Sequence, residues 1–306
     1  MIDWYERKTD FLLDKYGGRG RVHYHTGLAP PDLVAARDLD GLRAQLWESQ
    51  EAMLDRAARA WDAPRTLGGE LLDVGCGLGG GPIYWAQRTG ARVTGVTPVA
   101  AHAPIIERLA REAGVGDRVR VLVADAHAVP APARAFDAAV ATGASNYFDR
   151  ARWFSHLAHL LRPGGHVCIE DTFWVSPELV APFNDYWISN VGHEREYLDA
   201  ARAAGLRLVG REDVTRDAAG FWRLSVAWSE ALLAAEPDAR KRDERRRSIA
   251  WQSQVHDAYL DGGFLNLLLQ FELPPSPATR TPAAASPSRA PHPRRGSRDR
   301  SARRAR

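Results

Sequence analysis

The sequence predicts an α/β protein, doubly wound, with a parallel sheet covered by helices on both faces. Three observations carry that reading. Short apolar, strand-like runs alternate with stretches of helical periodicity from residue 70 to residue 273, the pattern of successive βαβ units. The first strand leads straight into a glycine cluster at 75–81 before a helical pattern resumes, the arrangement of a ligand-binding strand–turn–helix. A chain of 306 residues with 45% hydrophobic and 26% charged side chains can bury a sizeable core and is not wholly disordered.

Residues 2–16 place apolar side chains at helical spacing, and Gly17-Gly18 stops them. A second helix is predicted at 38–61, with Leu42, Leu46, Met53 and Leu54 on one face. Strands follow at 70–74, 92–96, 118–124, 135–141 and 166–170, with helical patterns at 83–87, 104–113 and 152–161 between them. Gly114 and the run Arg162-Pro163-Gly164-Gly165 stop the last two helices, since glycine caps a helix and proline cannot continue one. Residues 173–200 then interrupt the alternation with Phe173, Trp174, Phe183, Tyr186, Trp187 and Tyr197. A helix at 197–204, a strand at 206–214, helices at 221–235 and 245–260, and a closing strand at 264–273 complete a set of seven strands.

The formal net charge of +3 invites a polyanionic partner, but its location removes most of that invitation. Residues 274–306 hold nine Arg and one Asp, a net of +8, with seven of the 19 prolines and no aromatic or branched aliphatic side chain. Such a segment cannot build a core and is expected to be a disordered basic tail. The other 273 residues carry 32 basic and 37 acidic side chains, a net of −5, so no nucleic-acid partner is expected. No apolar run reaches the roughly 20 residues that span a bilayer, and the start MIDWYERKTD lacks a secretory core. Cys76 and Cys168 are too few for a disulfide framework or a cysteine-rich zinc site. A cytoplasmic protein is the expectation.

The stretch LLDVGCGLGGG at 71–81 ends a strand in Asp73 and turns on Gly75, Gly77 and Gly79. Glycine there lets the backbone turn sharply and lets a ligand approach without a Cβ in the way. At these residues, and over roughly 68–175, the sequence resembles the class I S-adenosylmethionine-dependent methyltransferases. The resemblance implies a Rossmann-like, mostly parallel seven-stranded sheet and S-adenosylmethionine as cofactor. It assigns Asp73 to the methionine amino group, Gly75, Gly77 and Gly79 to the cofactor loop, and Asp125 and Ala126 to the adenine. The run Leu160-Leu161-Arg162-Pro163-Gly164-Gly165-His166-Val167 resembles the family's turn into strand five.

Many members hold the ribose with an acid after strand two, as a dinucleotide enzyme also would. Here that stretch is Gly95-Val96-Thr97-Pro98. It resembles instead the branch of tocopherol, cyclopropane-lipid and prenyl-diphosphate methyltransferases. In that branch a residue five places beyond the threonine, here His102, reaches the ribose. Residues 21–28 resemble the branch's His-Tyr-Gly lid, with Tyr24 over the methionine end and Thr26 near its carboxylate.

Reacting groups in open α/β sheets gather beyond the carboxyl ends of the strands, which selects 142–147, beginning with Thr142, and 170–173. Methyl transfer from a sulfonium needs in-line positioning, exclusion of water and removal of a proton. Glu170 and Asp171 are the candidate bases, Glu170 first, with His193 and Glu194 behind them. Related prenyl methyltransferases carry an acid in the loop after strand four. Residues 143–147 hold none, so that base cannot be carried over. Tyr147, Phe173, Trp174, Tyr186, Trp187, Tyr197 and Trp222 would wall an apolar pocket able to steady a carbocation.

There is no aspartate-rich motif, so no metal is expected, and Arg19 and Arg21 are the only clustered cations near the lid. A neutral prenylated or polyketide-like acceptor therefore fits at least as well as a diphosphate. The expected function is C-methylation of a prenyl or terpenoid group on a small, largely apolar secondary metabolite. Oxygen or nitrogen methylation with His193 as base is the alternative, and an RNA-methylating or RNA-binding protein using the tail is a different class. The expected layout is a helical lid at 1–67, a core at 68–273 with an aromatic helical insert at about 173–200, and the tail at 274–306. The amphipathic helix at 2–16, set off by two glycines, points to exchange between subunits and a homo-oligomer.

Overall fold

The structure, a computed structural model, describes residues 2–275, which belong to one compact unit. The tail expected to be disordered lies outside the described residues from 276 onward. The chain opens with α1 (Ile2–Tyr16), a hairpin of β1 (Gly17–Gly18) and β2 (Arg21–Val22), α2 (Leu39–Ala60) and the short α3 (Ala63–Thr66). Then β3 (Glu70–Val74), α4 (Gly80–Thr89), β4 (Arg92–Thr97), α5 (His102–Glu112), β5 (Val119–Val123), β6 (Phe136–Thr142), α6 (Arg150–Leu160) and β7 (Leu161–Trp174) alternate. The chain closes with α7 (Val180–Trp187), α8 (Glu194–Ala203), β8 (Arg207–Asp213), α9 (Thr215–Ala235), α10 (Ala239–Asp261) and β9 (Phe264–Glu272).

Seven strands form one sheet in the order β5-β4-β3-β6-β7-β9-β8. All are parallel except β9, which runs antiparallel between β7 and β8. From β3 the chain moves outward to β4 and β5, then returns to β6 on the other side. That reversal leaves a crevice at the carboxyl ends of β3 and β6, where ligands of such sheets bind. Side chains alternate across the sheet: Leu71 packs into one core, with residues of α2, α4, α5 and α9, and Leu72 and Val74 into the other, with α6 and α8. Asp38, Asp149 and Asp238 cap α2, α6 and α10 by accepting from Gly41 N, Arg152 N and Lys241 N, satisfying orphan donors of the first turn.

One predicted boundary needs correction. β7 starts at Leu161, five residues before the predicted strand, and continues through Glu170 to Trp174. The Pro-Gly-Gly run does stop α6, but it stays in the sheet because Gly164 N donates to Leu273 O at 2.7 Å and Leu273 N to Gly165 O at 2.8 Å. At the far end β9 pairs with every residue from His166 to Trp174. Glu170, Asp171 and Phe173 therefore lie within the sheet, not in a loop beyond it.

Candidate active site

The glycine turn is built from backbone bonds. Gly75 N and Cys76 N both donate to Val96 O, at 2.9 and 3.0 Å, tying the turn to β4. Gly79 is the N-cap of α4 at φ +90°, and a Cβ there would meet Ile106 at 2.6 Å. A Cβ on Gly77 (φ +54°) would meet nothing within 4 Å, so the loop borders open space. Asp73 sits beneath the start of α4, where a Cβ on Gly81 would lie 2.5 Å from its Oδ2. Its carboxyl is buried, makes no hydrogen bond or ion pair among the described residues, and is pushed up to about 7 by desolvation. A buried acid lacking a partner beside an open loop suits a cationic ligand group.

The remaining cofactor-side residues surround that loop. His102 lies with Nδ1 3.1 Å from Gly77 O and Nε2 3.2 Å from Thr9 Oγ1, so it bridges the loop to α1. Burial lowers its pKa, which keeps the ring neutral. Thr97 is buried and accepts from Val99 N at 3.2 Å. Beyond β5, Asp125 is exposed and accepts from the backbone N–H of His127 at 2.8 Å and from its ring at 2.7 Å; these bonds, the backbone one first, hold its carboxyl low. Ala126 follows it, half-buried. Thr142 ends β6 with a buried Oγ1 that has no partner among the described residues.

A cavity of about 960 Å³ opens beside the loop after β6. Its aromatic wall comes from Tyr16 on α1, Tyr24 in the lid stretch, Tyr147, Tyr186 and Trp187 on α7, and Phe221 and Trp222 on α9. Tyr24 packs edge-on to Tyr5 at 6.0 Å and tilted on Tyr16 at 5.4 Å. The lid stretch is pinned by α2: Gln50 Nε2 donates to His25 O and Leu28 N to Ser49 O, both at 2.8 Å. Thr26 also faces the cavity.

Several residues selected from the sequence lie away from the cavity. Phe173, Trp174 and Tyr197 do not line the cavity. Phe173 and Tyr197 pack edge-to-face at 4.8 Å inside the second core, and Trp174 lies against His193 at 4.9 Å. His193 is the N-cap of α8, its Nδ1 accepting from Arg195 N at 3.0 Å, and does not line the cavity. Glu194 pairs with Arg211 at 2.7 Å.

Glu170 is fully enclosed, accepts from Asn266 Nδ2 at 2.8 Å, and is absent from the cavity wall. Desolvation raises its carboxyl to about 8, which favours the protonated form at neutral pH. Asp171 reaches the cavity but is saturated by Ser145 Oγ, Asn146 N, Asn146 Nδ2 and Thr172 N at 2.7–3.2 Å. It shapes the loop after β6.

Nor are Arg19 and Arg21 the relevant cations: they pair with Glu48 at 3.5 Å and Glu51 at 2.8 Å. The cavity rim instead carries Arg7 and Lys8 of α1 and Arg240, Lys241, Arg245 and Arg247 of α10. The charge run at 240–247 was visible in the sequence, but nothing local said which cavity it borders.

His25 was also missed. It lines the cavity, and its Nδ1 lies 2.9 Å from Thr26 O. A carbonyl only accepts, so Nδ1 carries the proton and Nε2 keeps its lone pair. That Nε2 is buried without a partner among the described residues, and burial pulls the ring's pKa down to about 3. No group of three or more His, Cys, Asp or Glu able to hold a metal occurs among the described residues. None of their helices is long and apolar enough to cross a membrane.

The sheet order with its single reversed strand, the glycine turn and the orphan acid beneath it define the class I S-adenosylmethionine-dependent methyltransferases, and the chain belongs to that family. Residues 71–165 match the methyltransferase domain. The chain is 32% identical over 227 residues to the geranyl diphosphate 2-C-methyltransferase of Streptomyces lasalocidi, covering 69% of this chain and 73% of that one. It is 30% identical over 222 residues to the enzyme of that name from Streptomyces coelicolor, covering 69% and 75%. A solved geranyl diphosphate methyltransferase in complex with GPP and sinefungin shares the fold with a TM-score of 0.75 at 24% identity, over 89% and 97% of the two chains. S-adenosylmethionine is the cofactor, and the lone carboxyl of Asp73 fits its methionine ammonium.

Proposed function

We propose that the protein methylates a carbon of a prenyl or terpenoid group on a small, largely apolar acceptor. The observation that carries this is the cavity at the carboxyl edge of β6, walled by Tyr24, Tyr147, Trp187 and Trp222. The relatives' names support the same acceptor class. S-adenosylmethionine supplies an electrophilic methyl group. Asp73 would hold its ammonium, and Gly75, Gly77 and Gly79 would let the loop approach it.

The alkene's electron pair forms the new carbon–carbon bond while the carbon–sulfur bond breaks and its pair stays on sulfur. The positive charge left on the neighbouring carbon faces aromatic rings, which attract cations. Loss of a proton to Nε2 of His25 restores a double bond. A base with a depressed pKa suffices, because a carbocation is a far stronger acid than imidazolium, and such a base stays unprotonated at working pH.

The test is mass spectrometry of products from prenyl acceptors with a trideuteromethyl donor. A product gaining three deuterons on carbon is expected. A label attached to oxygen would favour hydroxyl methylation and count against the carbocation step. Absence of labelled product despite saturable cofactor binding counts against the prenyl reading.

A further inference from the structure

Lys15, in the last turn of α1, is 2% exposed and lies in the cavity wall. Its Nζ donates to Ser225 Oγ of α9 at 2.7 Å and stands 5.0 Å from the centre of the Tyr16 ring. It forms no ion pair among the described residues, and two ammonium hydrogens are left without an acceptor there. A lysine stem is long enough to carry its head to water, yet here the head is enclosed. Burial without a counter-charge lowers its pKa to about 7. An unpaired buried ammonium is costly unless a ligand supplies the missing charge. The rim cations are less enclosed: Arg245 is paired with Glu236 at 2.9 Å and Arg240 with Glu244 at 3.4 Å, while Arg7, Lys241 and Arg247 are exposed and Lys8 is half-buried.

We infer that Lys15, held by Ser225, is the subsite for an anionic oxygen of the acceptor, a carboxylate or a phosphate. It selects acidic acceptors over neutral ones of the same hydrocarbon skeleton. The inference rests on the prenyl reading only for the choice of skeleton. Because Lys15 belongs to α1, the acceptor's charge also fastens the N-terminal helix against α9.

The full chain with S-adenosylhomocysteine is titrated with geranic acid, geranyl diphosphate and geraniol, reading the quenching of tryptophan fluorescence. Geranic acid should bind at least about tenfold more tightly than geraniol, and Lys15→Gln should bring the two within about twofold while Lys15→Arg keeps a preference. The diphosphate arm separates the two sources: the larger Lys15→Gln effect marks the group the subsite takes. Unchanged calorimetric affinity for S-adenosylhomocysteine shows that each variant is folded.

If Lys15→Gln does not fold, the wild type decides. A preference owed to the exposed rim disappears in about 0.5 M salt, whereas one owed to a buried ammonium persists. The assignment is overturned if the wild type prefers neither ligand or binds neither, if Lys15→Gln keeps the preference, or if salt abolishes it. Methyl transfer is read separately. An acid preference without any methylated prenyl product leaves Lys15 in place and removes the prenyl reading.

Discussion

The hydroxyl of Tyr5 donates to the hydroxyl of Tyr147 over 2.7 Å, joining α1 to the loop after β6. Tyr147 in turn donates to the carbonyl of Trp187 at 3.3 Å. One side chain thus links the N-terminal helix, the carboxyl edge of the sheet and α7. These two hydrogen bonds join three walls of the cavity.

Tyr5→Phe should therefore loosen the cavity more than the cofactor loop, which stays tied to α1 through His102 and Thr9. The lost bond is worth about 0.5–1.5 kcal/mol of stability. Urea denaturation should show a small drop in midpoint. Steady-state kinetics should show acceptor KM rising with the cofactor's dissociation constant unchanged.

Cofactor affinity should depend on pH through Asp73. Its carboxyl ionises near 7 in the free protein, and only the ionised form attracts an ammonium. Binding should tighten as pH rises towards 8 and weaken by about tenfold for each unit below 7. Calorimetry on Asp73→Asn should give a weaker affinity that no longer varies across that range.

Glu170 should make stability fall as pH rises. Its carboxyl is raised from an ordinary 4.5 to about 8 in the folded state. Between those values the folded protein keeps a proton that the unfolded chain has released, so unfolding is increasingly favoured at higher pH. Each unit of difference is worth about 1.4 kcal/mol. Glu170→Gln should reduce the dependence, leaving the part due to Asp73, and be the more stable protein at pH 8, as read from urea midpoints at pH 5.5 and 8. Turnover should stay within about threefold, since Glu170 is outside the cavity. A collapse of turnover with cofactor binding intact would restore Glu170 as the base.

His25→Leu should cut kcat by about 10²–10⁴ while the affinity for S-adenosylhomocysteine changes little. With its pKa near 3, His25 should impose no loss of rate between pH 5 and 8. A single-turnover profile on the wild type checks this. A fall in rate towards pH 5 with a midpoint near 6 would assign the proton to another group.

Most of the fold was legible in the sequence because its determinants are local. The alternation of strand and helix, the glycine turn after Asp73 and the glycine stops all follow from backbone preferences and spacing. β7 was read too short, because its length is set by β9, some hundred residues later in the chain, which pairs with it up to Trp174. The family was legible for the same local reason: the cofactor loop is one contiguous stretch.

The acceptor site was legible only in part, and the division is physical. Residues 173–200 announced an aromatic insert, but strand alternation and helix packing sent Phe173 and Tyr197 into the core and left Tyr186 and Trp187 on the cavity. Periodicity shows that a face is apolar, and tertiary contact decides what covers it. Lys15 reads in the sequence as an ordinary cation ending a surface helix. Only the packing of α1 against α9 encloses it beside Ser225, and only the lid's path over Gly143 brings His25 to the cavity.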